Sequence, residues 1–297
     1  MVLSLHGAAP QCRWLLLVLL LLPSASAKPA ASGREYVIYM CNDGFTDHYF
    51  ENLKNHSHLI SSVIFYTYAF NASTPAGIQH FAKFNTSTGG WSDSYKFTKK
   101  YQDLGIDVWA TCGGNHENLG ALLQNPTQVD AFIAWVLKET KEQGYKGWHI
   151  DIESGSFRGE YLAFLLRLDA ALKTQDPSSG GVAPDSEGCP NGAAGATCGE
   201  YRNSSIGSVL LMQWYAMKPR GCHDAVDRAV NDGAKSLRAD QFMPAWHTRH
   251  SAWLSNASCV SYMLQSGVTC APSTISAYFV CARFFLTTKA GLTYCDR

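Results

Sequence analysis

Apolar residues recur along this chain with two alternating spacings. Short runs rich in β-branched and aromatic residues predict buried strands, whereas apolar residues at every third or fourth position predict amphipathic helices. The predicted strands are residues 36–40, 62–70, 106–112, 145–153, 208–215, 241–246 and 274–281, with a weak candidate at 180–184. Strands that alternate with helices in this way predict βαβ units and a parallel sheet.

The clearest predicted helix begins after Asn125 and stops at Gly144. An asparagine followed by proline is typical of a helix start, and glycine is typical of a helix end. The other predicted helices are residues 47–58, 95–104, 161–172, 224–237 and 251–264. Seven clear strands and one weak one predict a (β/α)8 TIM barrel with a weak or irregular fifth strand, and about 250 residues is the usual length of such a barrel. No linker interrupts residues 28–297, which we expect to form a single domain.

The strand at residues 145–153 carries two acids at its downstream end. Side chains two apart in a strand share a face, so His149, Asp151 and Glu153 point one way. In a barrel of parallel strands the chemistry lies at the carboxyl ends of the strands. Burying two carboxylates is costly unless they are partnered or used. We therefore favour a catalytic pair over two acids that merely cap the next helix.

The amino terminus predicts entry into the secretory pathway. Residues 13–27 contain an arginine, a short apolar run and an Ala-Ser-Ala ending, which is typical of a signal peptide cleaved after Ala27. The mature chain then has nine cysteines, an odd number, so at least one is free or pairs with another chain; Cys112 is the candidate buried thiol. Cys189–Cys198 and Cys259–Cys270 are the closely spaced candidate pairs. Asn-x-Ser/Thr sequons begin at residues 55, 71, 85, 203 and 256 and favour a glycoprotein.

Composition and charge narrow the function classes. A formal net charge of zero gives no reason to expect a nucleic acid or an anionic membrane as partner. His247 and His250 lack the spacing of a metal site, so we expect no metal and no other cofactor. A serine hydrolase is disfavoured because no Gly-x-Ser-x-Gly sequence is present. We expect a monomer that is secreted or lumenal, with a lysosome or vacuole as possible destinations, and that leaves the membrane once the signal peptide is removed.

Four segments resemble glycoside hydrolase family 18, the chitinase and hevamine-like group. They lie in order on predicted strands two, three, four and six: Tyr68-Ala69-Phe70, Thr111-Cys112-Gly113-Gly114, residues 146–153 and Met212-Gln213-Trp214-Tyr215. The resemblance covers most of residues 36–282 and implies the barrel fold and a glycosidase activity.

The resemblance also implies roles for individual residues. Glu153 is the expected general acid/base, which protonates the glycosidic oxygen. Asp151 is expected to hold the acetamido group of the substrate, whose own carbonyl oxygen is the nucleophile, and Tyr215 to donate a hydrogen bond to that oxygen. The other expected substrate-binding residues are Gln213, Tyr68, Phe70, Trp246, Gly113 and His149.

The chain departs from the family pattern at several positions. His149 replaces the middle acid of the strand-four motif; it either keeps Asp151 charged and shifts the pH dependence, or is a hydrogen-bonded core histidine. Lys146 replaces the first acid of the same motif. The tryptophan usual in strand eight is absent, and Tyr278 or Phe279 is the nearest substitute. Trp246 either stacks on a sugar or packs in the core.

Two functions from different classes remain open. The first is a secreted hydrolase that cleaves β-1,4 bonds at N-acetylglucosamine, in chitin oligomers or in the chitobiose core of N-glycans, by substrate-assisted retaining catalysis. The second is a non-hydrolytic sugar-binding protein on the same barrel. The retention of Glu153 favours the enzyme.

Overall fold

A computed structural model of the chain describes twelve segments. These are residues 36–40, 47–55, 57, 60–80, 84–85, 90–91, 94–114, 116–152, 157–186, 197–211, 236–238 and 241–244. The strands are β1 (Tyr36–Met40), β2 (Ile60–Phe70), β3 (Ile78–His80), β4 (Phe84–Asn85), β5 (Gly90–Trp91), β6 (Asp107–Gly113), β7 (Gly147–Asp151), β8 (Gly181–Ser186), β9 (Val209–Leu211) and β10 (Phe242–Pro244). The helices are α1 (Asp47–Lys54), α2 (Ser94–Asp103), α3 (His116–Leu123), α4 (Pro126–Gln143), α5 (Arg158–Gln175) and α6 (Cys198–Arg202).

The main sheet follows the order of the chain. Its strands lie in the order β1-β2-β6-β7-β8-β9-β10, and all of these neighbours pair in parallel. Strand β3 is antiparallel to β2, and β4 pairs with β5 as a separate small sheet. Parallel neighbours in chain order, joined by helices, are the arrangement of a (β/α)8 barrel. The predicted alternation is confirmed over the described residues, and the predicted strand at 274–281 lies outside them.

Local signals place β7 at the centre of this sheet. The side chain of Asn125 accepts a hydrogen bond from the Gln128 amide at 3.2 Å, which caps the start of α4. Gly144 ends the helix with φ of 69°, a left-handed conformation that glycine adopts without strain. The amide of Lys146 then donates to the carbonyl of Val108 at 2.7 Å and starts the pairing of β7 with β6.

The two faces of β7 have different neighbours. Trp148 donates from Nε1 to Thr140 Oγ1 of α4 at 2.7 Å, so even-numbered residues of β7 face the helices. Odd-numbered residues face the other side, as predicted for His149 and Asp151. The paired registers of β6 and β7 stack three layers on that inner face: Trp109 with Gly147, Thr111 with His149, and Gly113 with Asp151. Asp151 lies in the layer at the carboxyl ends of the strands.

The predicted weak fifth strand is fully formed as β8, and all six of its residues are buried. Its first four residues pair with β7 and its last two pair with β9. The irregularity of this strand is therefore a change of pairing partner. Helices α3 and α6 and the short strands β3, β4 and β5 were not predicted from the sequence.

Candidate active site

The site is built at the carboxyl ends of β6 and β7. Asp151 is the last residue of β7, is half-buried, and pairs in register with Gly113, the last residue of β6. A Cβ atom added to Gly113 would lie 3.0 Å from Asp151 Cβ and 2.8 Å from the Asp151 carbonyl oxygen. The absence of a side chain at Gly113 therefore allows the two strands to approach closely beneath the carboxylate.

Tyr66 is a residue of this site that sequence reasoning missed. It pairs with Thr111 in register, and its hydroxyl lies 2.6 Å from the point that a Cβ on Gly113 would occupy. Tyr66 Oη and Asp151 Cβ thus flank the same glycine. The half-buried phenol places a hydrogen-bonding group on the inner face beside Asp151.

Tyr68 and Phe70, both predicted to bind substrate, point to the helices instead. The pairing of β2 with β6 shifts between Tyr66 and Tyr68, which reverses the face that the following residues occupy. Tyr68 stacks on Trp148 at 5.1 Å between ring centroids, and Phe70 stacks on Phe132 of α4 at 5.6 Å. Both are buried in the core. The predicted substrate contacts of these two residues are therefore wrong.

Tyr68 has a structural role that a mutation can test. Its hydroxyl donates to Glu139 Oε1 at 2.9 Å and lies 3.1 Å from Tyr145 Oη, and all three residues are buried. Tyr68→Phe leaves the Glu139 carboxyl without this donor, so we expect a loss of about 1–3 kcal/mol in the free energy of unfolding with KM unchanged. Chemical denaturation and steady-state kinetics measure the two effects.

Tyr101→Phe is the matched control for that experiment. The buried Tyr101 hydroxyl makes no hydrogen bond among the described residues, so its removal should change the free energy of unfolding little. A rise in KM in Tyr68→Phe without a loss of stability would contradict the core placement of Tyr68.

His149 is a neutral core residue. It has no exposed surface, and its Nδ1 lies 3.4 Å from Thr111 Oγ1. Burial lowers the pKa of His149 to about 3. The imidazole therefore carries no positive charge near neutral pH, and the hypothesis that it keeps Asp151 charged is not supported. The alternative interpretation, a hydrogen-bonded core histidine, fits these contacts.

The low pKa of His149 predicts an acid-sensitive fold. The unfolded chain binds a proton at this histidine below pH 6.5, whereas the folded chain does so only near pH 3. The contribution of neutral, buried His149 to the free energy of unfolding is thus complete above pH 6.5 and is lost as the pH falls from 6.5 to about 3. Urea titrations between pH 6 and 4 measure this effect. As the pH falls, we expect the free energy of unfolding of wild type to decrease by up to about 1.4 kcal/mol per pH unit more than that of His149→Asn. Parallel curves for the two proteins would show that His149 is not buried as a neutral group.

A group of buried neutral side chains lies near Asp151. Burial, and then the charge of Asp151, raise the pKa of the Cys112 thiol well above its usual value. The pKa of Tyr161 on α5 is also raised well above its usual value, by burial first and then by Tyr201, Asp185, Asp151 and Cys112. Cys112 is a free buried cysteine, as predicted. These two groups stay protonated at neutral pH, so they add no negative charge to the surroundings of Asp151.

Four of the predicted site residues lie outside the described residues: Glu153, Gln213, Tyr215 and Trp246. Of the five that are described, the structure brings Gly113, His149 and Asp151 together on the inner face. Within the described segments, no group of three or more His, Cys, Asp or Glu side chains is arranged to hold a metal ion. None of the described helices is long and apolar enough to cross a bilayer.

Sequence comparison and structure comparison give different results. No protein-family model matches the chain, and no curated protein matches it significantly. Solved structures do match. The spore cortex-lytic enzyme SleL of Bacillus cereus aligns with a TM-score of 0.58 and 11% identity over 71% of this chain. The chain spans 50% of the SleL chain.

Two chitinases align in the same way. A GH18 chitinase from Pseudoalteromonas aurantia has a TM-score of 0.57 and 14% identity, with 83% of this chain and 94% of that chain covered. Catalytic domain 2 of a group II chitinase from Ostrinia furnacalis, solved with an N-acetylglucosamine oligomer, has a TM-score of 0.53 and 12% identity over 72% of this chain and 64% of that chain. The chain therefore has the fold of the family 18 chitinases.

Proposed function

We propose that the protein is a glycoside hydrolase that cleaves β-1,4 linkages at N-acetylglucosamine. The observation that carries this proposal is the position of Asp151, which closes β7 on the inner face in register with Gly113. The chain continues from Asp151 through the buried Ile152 to Glu153. A carboxylate at this edge of a chitinase-like fold is placed where barrel enzymes bind their substrates.

The proposed mechanism uses the substrate as its own nucleophile. Glu153 donates a proton to the glycosidic oxygen as the bond to the anomeric carbon breaks. The acetamido carbonyl oxygen attacks that carbon, and Asp151 holds the acetamido N–H and stabilises the positive charge that develops on the group. Tyr215 donates a hydrogen bond to the acetamido group. Water activated by Glu153 then opens the cyclic intermediate, which retains the anomeric configuration.

We place this activity in the secretory pathway. The segment at residues 13–27 supports a signal peptide, and nine cysteines in the mature chain suit an oxidising compartment. The exposed sequon residues Asn55 and Asn203 suit glycosylation of a secreted protein.

Turnover of two defined substrates tests the proposal. Purified protein is incubated with chitotetraose and, separately, with a high-mannose glycopeptide, and the products are followed by mass spectrometry. We expect hydrolysis of at least one of them with retention of the anomeric configuration. Tight binding without turnover of either substrate would identify a sugar-binding protein and reject the hydrolase.

A further inference from the structure

Strand β8 changes its partner along its length. Residues 181–184 pair with β7, and residues 185–186 pair with β9. The pairing of β8 with β7 thus ends one residue before Asp151. The next residue, Ile152, is 1% exposed, so its amide N–H needs an acceptor within the protein.

The side chain of Asp185 provides that acceptor. Its Oδ1 accepts a hydrogen bond from the Ile152 amide at 3.1 Å, and the residue is 1% exposed. The carboxyl group therefore links β8 to the chain beyond the last paired residues, Ile150 and Pro184. This bond satisfies a backbone N–H that is buried away from water, so its loss would leave that amide unpaired at a cost in free energy.

We propose that Asp185 is a positioning residue of the active site, an inference that rests on the proposed function. It holds the backbone of Ile152, which lies between Asp151 and Glu153 in the chain. A general acid must lie within hydrogen-bond reach of the oxygen that it protonates. Loss of the acceptor releases the main chain directly after Asp151. Asp185 acts through this backbone and not by contact with the sugar.

The same strand carries a matched control at its other end. Asp169 on α5 is also 1% exposed, and its Oδ1 accepts a hydrogen bond from the Val182 amide of β8 at 3.0 Å. This bond lies near the start of β8, away from the carboxyl ends of the strands. Asp169→Ala therefore removes the same type of bond from the same strand without touching the site, and it also removes the ion pair between Asp169 Oδ2 and Lys173 Nζ at 2.7 Å.

Kinetics of three variants test the inference. For Asp185→Ala we expect kcat to fall about 30- to 100-fold with KM within about threefold, the size of effect that a misplaced catalytic group produces. Asp185→Asn keeps an acceptor oxygen and should recover most of that loss. Asp169→Ala should lower the melting temperature and leave kcat within about twofold of wild type, because it acts on stability alone. If Asp185→Ala does not fold, Asp185→Ser takes its place. The serine side chain keeps a polar group but is one atom shorter than aspartate, so we expect its hydroxyl not to reach the Ile152 amide.

The rate of hydrogen exchange at the Ile152 amide reports directly on its hydrogen bond to Asp185. We expect the amide to exchange slowly in wild type and in Asp185→Asn, and about tenfold faster or more in Asp185→Ala. Unchanged kcat in Asp185→Ala, an equal loss in Asp169→Ala, or equal protection of Ile152 in all proteins would overturn the inference while wild-type turnover stands. A wild-type protein without turnover would instead reject the proposed function, and this inference with it.

Discussion

Glu153→Gln is expected to lower kcat on an N-acetylglucosamine oligomer by about 10²–10⁴-fold, the contribution of a positioned general acid. Glutamine has nearly the shape of glutamate but has no acidic proton to transfer to the leaving oxygen. The interaction that is lost exists in the transition state, so KM should change little. Steady-state kinetics on chitotetraose and calorimetric binding of the same oligomer measure the two effects.

The control is Glu160→Gln. Glu160 lies in the first turn of α5 and is exposed to solvent. It carries the same charge a short distance along the chain, so its replacement tests for a general effect of removing an acid, and we expect wild-type turnover. Turnover that survives in Glu153→Gln would remove Glu153 from the role of general acid. Equal binding of the oligomer by wild type and Glu153→Gln, with no turnover by either, would identify a lectin.

Much of the fold was predictable because its signals are local. The proline and glycine that bound α4, and the alternating faces of β7, depend on residues a few positions apart. The capping box that starts α6 is equally local: Thr197 and Glu200 each accept from the backbone of the other. That signal was present in the sequence and was missed because the surrounding segment has almost no apolar run.

The faces of β2 were not predictable in the same way. Parallel strands are buried on both sides, so their sequence is apolar throughout and does not show which residues point inward. The shift in pairing after Tyr66 then reverses the faces. Sequence resemblance pointed to Tyr68 and Phe70, whereas the inner face carries Tyr66. A bulge of this kind depends on pairing with β6, which the sequence of β2 alone does not contain.

The role of His149 also depended on information outside its own strand. The sequence placed it correctly on the inner face, one layer below Asp151. Its protonation state follows from complete burial, which lowers its pKa to about 3. In the same way, Asp185 lies one residue beyond the weak strand predicted at 180–184, and its contact with Ile152 depends on how β8 pairs with its two neighbours.

The second large effect is expected at Gly113, where substitution by alanine tests the close approach of β6 and β7. The added Cβ would lie 2.6 Å from Tyr66 Oη, 2.8 Å from the Asp151 carbonyl oxygen and 3.0 Å from Asp151 Cβ. The end of the tyrosine side chain can move, but the backbone of β7 can yield only if the two strands separate. We expect a loss of about 1–3 kcal/mol in unfolding free energy from this overpacking. We also expect kcat/KM to fall about 100-fold, because Asp151 is displaced.

Gly159→Ala is the control for alanine in place of glycine. Gly159 lies in the first turn of α5 with no atom within 4 Å of the added Cβ, so we expect unchanged kinetics and a gain of up to about 1 kcal/mol in helix stability. The double variant Gly113→Ala, Tyr66→Phe separates the two contacts. Removing the phenol oxygen relieves the contact at 2.6 Å and should restore part of the stability. It should not restore kcat/KM, because the Cβ still presses on Asp151; recovery of full activity would show that the position of Asp151 does not limit the reaction.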